Sequence, residues 1–220
     1  KPFKDFKRKE VFQNITIMDL LSHQSGIDNP YLSFRLAYTG DYTHAEILQL
    51  IEAETQTNEA GKAFEYTNFG YYLFDYLLLA ELGKSWKDLL DEKIFQPLGM
   101  ENSTAYTSKV PDGKLALPHG GVFKGQINVS PLQKSDPLMH AAGGLMTNTE
   151  DAARFLQFYL GKGKGAYPED VVVNSYQNQV DAKHKYVRVF DGNGYASGWR
   201  IGKFEKEKIV YHFGGYTGYF

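Results

Sequence analysis

The chain has 220 residues, room for one large domain or two small ones, and its 42% hydrophobic content is ordinary for a globular protein. A formal net charge of −2, with no acidic or basic block, argues against a nucleic-acid footprint and against a polybasic membrane patch. No cysteine is present, which excludes disulfides, thiolate metal sites and a cysteine nucleophile.

Residues 1–14 are charged and unpatterned, and they read as surface. Thr16 to Asp19 is a capping signal, a hydroxyl followed three residues on by an acid. It predicts a short helix through Leu20 and Leu21 that stops at Gly26. Asp28-Asn29-Pro30 predicts a loop. Thr43 to Glu46 repeats the capping pattern ahead of a helical stripe of Ile47, Leu48, Leu50 and Ile51. Phe64 to Asn68 is a polar turn that runs into a helix from Tyr71 to Leu82, apolar nearly all round and therefore central. Gly83 ends it. Ser85 caps a further helix that Pro97 and Gly99 end.

Residues 101–140 have no sustained period, and a long irregular stretch in a compact domain is often functional. A helix across Ala152, Phe155, Leu156 and Tyr159 follows, starting at Thr147 or Thr149. A short one follows over 168–179, with Pro168 in its first turn. The period then changes. Tyr186–Phe190, Tyr195–Ile201 and Lys208–His212 are β-branched and aromatic runs, separated by Asp191–Gly194 and by a charged turn at Lys203–Lys206. Helices first and antiparallel strands last predict an α+β fold, mainly helical over 1–180 and strand-forming over 181–220.

No apolar run approaches the roughly 18 residues of a membrane span, and no apolar stretch follows Lys1-Pro2-Phe3-Lys4 as a signal peptide requires. Aromatic residues make up 15% of the chain, which favours a large core or a groove with aromatic walls. The six histidines (His23, His44, His119, His140, His184 and His212) include no HExxH pair and no tight cluster with carboxylates. They read as surface or core residues, and no metal or cofactor is expected. His23-Gln24-Ser25-Gly26 lacks the first glycine of a Gly-x-Ser-x-Gly elbow, so Ser22 and Ser25 read as helix-end residues bonded to backbone.

Two stretches carry candidate chemistry. A tyrosine near a cation can shuttle protons, which fits Tyr66. An asparagine at a helix start can bind a substrate amide through donor and acceptor together, which fits Asn68, although a plain N-cap fits it too. Tyr211-His212-Phe213-Gly214-Gly215 ends a strand in glycines, where a ligand can approach the backbone and an N–H can bind an oxyanion. An ordinary strand end also fits.

Taken together these motifs resemble the serine β-lactamase and penicillin-binding-protein family, in its class C and esterase-like branch. Ile15 to Gly26 resembles the family's "iTirdLLsHtSG" helix, and Tyr66-Thr67-Asn68 its Y-x-N segment. Ala141 to Leu145, with Asp151, resembles "aGGl-sta-Dlarf". His212-Phe213-Gly214 stands where the family has Lys-Thr-Gly or His-x-Gly.

The resemblance implies a helical region packed against an antiparallel sheet as one domain, with the site at their seam. It implies that Tyr66 handles protons, that Asn68, His212 and Gly214 line the substrate, and that the Gly215 N–H joins an oxyanion hole. The substrate would be a small molecule or peptide: a D-Ala-type peptide, a β-lactam or an ester. An exported or periplasmic bacterial location would follow. No serine here has a lysine three residues on, so the family's Ser-x-x-Lys nucleophile motif is expected outside these residues, with the domain incomplete at both ends. On that expectation the 220 residues alone are inactive. A non-catalytic peptide- or peptidoglycan-binding relative and an inert fragment are the alternatives.

Overall fold

The structure is a computed structural model, and residues 12–57, 63–184 and 191–219 are described. Helix α1 (Ile17–Leu21) starts in a capping box: the Asp19 N–H donates to Thr16 Oγ1 at 3.1 Å and the Thr16 N–H to the Asp19 carboxylate at 2.8 Å. It does not run to Gly26. His23 takes the left-handed conformation, at φ 58°. The His23 N–H then bonds Leu20 O at 3.4 Å and the Gln24 N–H bonds Asp19 O at 2.8 Å, which is a Schellman ending with histidine where glycine is usual. The Ser22 hydroxyl donates to Met18 O at 2.6 Å, as a helix-end serine should.

Strand β1 (Ile27–Asp28) and helix α2 (Pro30–Tyr38) replace the predicted loop. Asn29 is a buried N-cap whose Oδ1 accepts from the Leu32 N–H at 2.9 Å, and Pro30 fills the first helical position, where its missing N–H costs nothing. The Asn-Pro pair is a helix start. Helix α3 (His44–Glu54) has its expected capping box, and β2 (Gln56–Thr57) pairs antiparallel with β1.

Helix α4 (Phe69–Leu82) ends at Gly83 in the left-handed region, as expected. It lies centrally: Phe69 and Leu73 are fully buried with Leu20, Ile27, Leu32, Leu36 and Ile51 in one core. Gly70 lets α4 touch α1, since a Cβ there would lie 2.7 Å from Leu20 O.

Helix α5 (Trp86–Leu90), capped by Ser85, does not stop at Pro97. It runs through a π turn (Asp91–Phe95) into α6 (Gln96–Leu98) and ends at Gly99. Pro97 offers no N–H to the Lys93 carbonyl, four residues back, and the Tyr167 hydroxyl bonds that carbonyl instead.

The 101–140 stretch holds a hairpin, β3 (His119–Phe123) and β4 (Gln126–Val129), which the missing periodicity concealed. Its turn, Lys124-Gly125, has φ 51° and 79°, the two positive angles of a tight primed turn. Asn148 caps α7 (Thr149–Leu160), in place of either threonine. Within α7, Asp151 is fully buried and accepts from the Asn102 N–H at 2.7 Å and the Ser103 hydroxyl at 2.8 Å, so it ties down the loop after α6. Helix α8 (Glu169–Ser175) follows.

The remaining strands form one antiparallel sheet in chain order: β5 (Val180–His184), β6 (Asp191–Tyr195), β7 (Arg200–Phe204) and β8 (Glu207–Tyr211). The strand expected at Tyr186–Phe190 lies outside the described residues. Asp191–Gly194, expected as a turn, is strand β6, and the turn is Ala196–Trp199. Glycine fits a strand here because of crowding. A Cβ at Gly194 would meet Asn178 Oδ1 at 1.9 Å, and one on Gly202 of β7 would meet Asp191 O at 2.7 Å. The fold is α+β, with helices through residue 175 and a four-stranded antiparallel sheet at the end.

Candidate active site

Residues 64–68 lead into α4 and are pinned from below. The Glu65 N–H donates to His23 O at 2.9 Å, and the Thr67 N–H donates to His23 Nδ1 at 3.3 Å. The Thr67 hydroxyl donates to Asp28 Oδ1 and accepts the Phe69 N–H at 3.0 Å. Thr67 therefore does the capping of α4. Asn68 keeps helical angles, makes no side-chain cap bond and is exposed, so the plain N-cap reading does not hold. Tyr66, at 43% exposure, stands beside it at the rim.

His23 lies at the centre of the rings behind Tyr66. It is 1% exposed, and its ring centre lies 4.3 Å from that of Tyr66, 4.7 Å from Tyr195 and 5.6 Å from Tyr71. Because Nδ1 accepts from Thr67, neutral His23 carries its hydrogen on Nε2. Burial first, then the neighbouring His212 and Arg200, lowers its pKa to about 4. A non-glycine residue in the left-handed region costs on the order of 1–2 kcal/mol, and here it buys a ring packed against Tyr66.

The sheet supplies the facing wall. The buried Arg200 guanidinium, at the start of β7, lies 5.3 Å from the Tyr66 ring centre and 5.7 Å from that of Tyr195. Both are cation–π separations. His212, just past β8, has its ring centre 6.1 Å from that of Tyr66. Its Nδ1 lies 2.8 Å from Phe213 O, which can only accept, so Nδ1 carries the hydrogen. Nε2 then accepts the Tyr195 hydroxyl at 3.1 Å. Burial and Arg200 lower the His212 pKa despite the Phe213 carbonyl, so at neutral pH the fixed cation of the site is Arg200. Gly214 and Gly215 follow, both exposed, and a Cβ on either would meet nothing within 4 Å.

Tyr66, His212 and the strand end thus come together, with Asn68 two residues on from Tyr66 at the start of α4. The sequence reading missed His23 and Arg200. The signal for His23 was its place two residues past the end of a short capped helix. Arg200 gave none, because it looks like any charged residue within the run Tyr195–Ile201. Part of the 101–140 segment lines a separate cleft of about 980 Å³ with Lys134, Gly143 and Tyr216; Tyr66 and His212 do not line it. Among the described residues no group of three His, Asp or Glu could hold a metal ion, and no helix is long and apolar enough to cross a membrane.

Residues 5–220 match the family described as Beta-lactamase. The chain belongs to the beta-lactamase family. Among curated relatives, it is 24% identical over 213 residues to an unguisins hydrolase of Aspergillus campestris, covering 94% of this chain and 39% of the relative. It is 25% identical over 226 residues to penicillin-binding protein 4* of Bacillus subtilis, covering 94% and 48%. The chain thus spans about half, or less, of the curated relatives it matches. Among solved structures, the D-amino acid amidase of Ochrobactrum anthropi SV3, complexed with L-phenylalanine amide, aligns with a TM-score of 0.74 at 20% identity, covering 96% of this chain and 59% of that one. An octameric penicillin-binding protein homologue from Pyrococcus abyssi aligns at 0.70 and 23% identity, covering 91% and 48%. These two likenesses support the β-lactamase-type α+β fold.

Proposed function

We propose that this chain forms two walls of a serine-hydrolase cleft that cleaves an amide or ester bond through an acyl-serine intermediate. The nucleophile comes from polypeptide beyond these 220 residues. Its oxygen adds to the carbonyl carbon, and the bond to the leaving amine or alcohol breaks. Water then releases the acyl group. Tyr66 carries the proton from the nucleophile to the leaving group. Asn68 binds the substrate amide, and the Gly215 N–H receives the developing oxyanion. His212 and Gly214 line the far side, and Arg200 favours negative charge in the cleft.

One observation carries this reading: Tyr66 stands at the rim in contact with the buried His23 and Arg200, while Thr67 relieves Asn68 of the capping task. Substrates in which a D-residue, a β-lactam or a small ester flanks the carbonyl fit the reading, since relatives by name include penicillin-binding proteins. An exported, envelope-facing location fits on the same ground.

The test uses the protein that contains this chain, assayed with D-amino acid amides, a chromogenic β-lactam and a nitrophenyl ester. Tyr66→Phe is expected to lower kcat/KM by about a thousandfold on whichever is turned over, within the usual range for losing a proton-transfer group. Unchanged turnover removes Tyr66 from the mechanism.

A further inference from the structure

His140 and the Gly-Gly turn that follows it play no part in the chemistry above, yet His140 is 7% exposed and reaches the second wall. Its Nε2 is hydrogen-bonded to the hydroxyl of Tyr216, the residue directly after Gly215. The same ring lies 4.9 Å from Tyr72, one turn along α4 from Asn68. Tyr216 is held from other sides as well. The Lys134 ammonium lies 3.7 Å from its ring centre, and the Tyr38 ring packs edge-on at 5.4 Å. Lys134 is itself anchored by bonds to the Ala37 and Leu138 carbonyls, and the Tyr38 hydroxyl accepts the Thr217 N–H at 3.4 Å. Tyr216 also exchanges two backbone bonds with Tyr219, at 3.0 and 2.8 Å.

The turn is built for this contact. A Cβ on Gly144 would sit 2.7 Å from both the His140 N and O atoms and 2.8 Å from the Trp86 ring. No side chain fits there without moving His140.

We propose that His140 is a positioning residue for the Gly214–Gly215 wall, acting through Tyr216 and joining that wall to α4 through Tyr72. Gly214 and Gly215 have no side chains to fix them and lie exposed, so an oxyanion donor at Gly215 needs an anchor one residue away. Tyr216 is that anchor, and His140 is its fixed end. Burial first, then Lys134, lowers the His140 pKa to about 3, so the ring stays neutral and the contact does not switch near neutral pH. The catalytic consequence rests on the function proposed above; the mechanical one does not.

Two measurements separate them. In the first, the ¹⁵N order parameter of the Gly215 amide is measured in the protein containing this chain and in its Tyr216→Phe variant. Removing one hydroxyl keeps the ring and its packing. The order parameter is expected to fall from about 0.85 towards 0.6. An unchanged value overturns the anchor. In the second, the protein containing this chain is assayed as Tyr216→Phe, His140→Phe, the double variant and His140→Gln. Each Phe variant is expected to lower kcat about tenfold with KM within about twofold, because a loosened oxyanion donor acts on the transition state. The double variant is expected to be no worse than either single one, and His140→Gln to recover part of kcat. Additive losses, or losses in KM alone, overturn the positioning role. If Gly215 loosens but neither Tyr216→Phe nor Tyr66→Phe changes turnover, the anchor stands and the proposed chemistry falls.

Discussion

Two buried histidines stand behind the two walls of the cleft, and they are used differently. His23 belongs to the end of α1: its backbone closes the helix, its carbonyl and Nδ1 hold residues 65 and 67, and its ring packs on Tyr66. His140 lies farther from its wall, which it meets through a hydrogen bond to Tyr216, while its ring packs on Tyr72. The glycines follow the same division. Gly70 brings α4 within touching distance of Leu20 O, whereas a Cβ on Gly214 or Gly215 would meet nothing within 4 Å. The first wall is fixed by close-packed backbone, and the second by side chains gripping Tyr216 together with its backbone pair to Tyr219. A group with the proton-handling role proposed for Tyr66 needs a constant position, and backbone contacts give that. A wall that must admit a ligand needs empty space, so its anchor has to sit beside the space.

The sharpest way to break this comparison is to strip each wall of one hydroxyl. Tyr66→Phe is expected to cost about a thousandfold in kcat/KM, and Tyr216→Phe only about tenfold in kcat. On the mechanism proposed above, the first removes a reacting group and the second only loosens a support. Equal effects would mean that the two walls do not differ in kind.

Next in size is acid sensitivity. Both histidines have folded pKa values below the ordinary 6.5, about 4 for His23 and about 3 for His140, chiefly from burial. The unfolded chain therefore takes up protons first as pH falls. Stability from these two groups is complete above about pH 6.5 and is lost progressively towards pH 4 for His23 and pH 3 for His140. Each unit of depression is worth about 1.4 kcal/mol, so a few kcal/mol per histidine is expected. Urea unfolding between pH 7 and pH 4 measures it. Replacing His140 by Phe should flatten the slope of unfolding free energy against pH, and an unchanged slope would show that His140 is not held neutral in the fold.

The first wall was largely legible in the sequence and the second only in part. Capping boxes at Thr16 and Thr43, and the apolar run after Asn68, are local signals, and the structure follows them. Tyr66 and Asn68 stood out because a polar turn met an apolar helix. Local signals failed where distant chain decided the matter. His23, rather than Gly26, ends α1 because its ring is captured by Tyr66, Tyr71 and Tyr195, from 43 to 172 residues away in sequence. Asp191–Gly194 reads as a turn, but the crowding by Asn178 and β7 that favours glycine there exists only once the sheet has formed. Arg200 acquires its role solely from the rings that the fold sets beside it.

The smallest expected stability effect gives the finest test, and it uses glycines alone. Gly144→Ala puts a methyl against the His140 backbone and the Trp86 ring, and is expected to cost about 1–3 kcal/mol in urea unfolding, as overpacking does. Gly215→Ala adds the same methyl directly before Tyr216, where no atom lies within 4 Å, and neither Gly214 nor Gly215 has a positive φ that would strain a side chain. Its effect on stability is expected to stay within about 0.5 kcal/mol. Turnover in the protein containing this chain should nonetheless fall about tenfold, because the methyl enters space that the ligand needs. A Gly215→Ala variant with full stability and full activity would show that this strand end is only a strand end. One with lost stability would show that its glycines serve the fold, as Gly144 does.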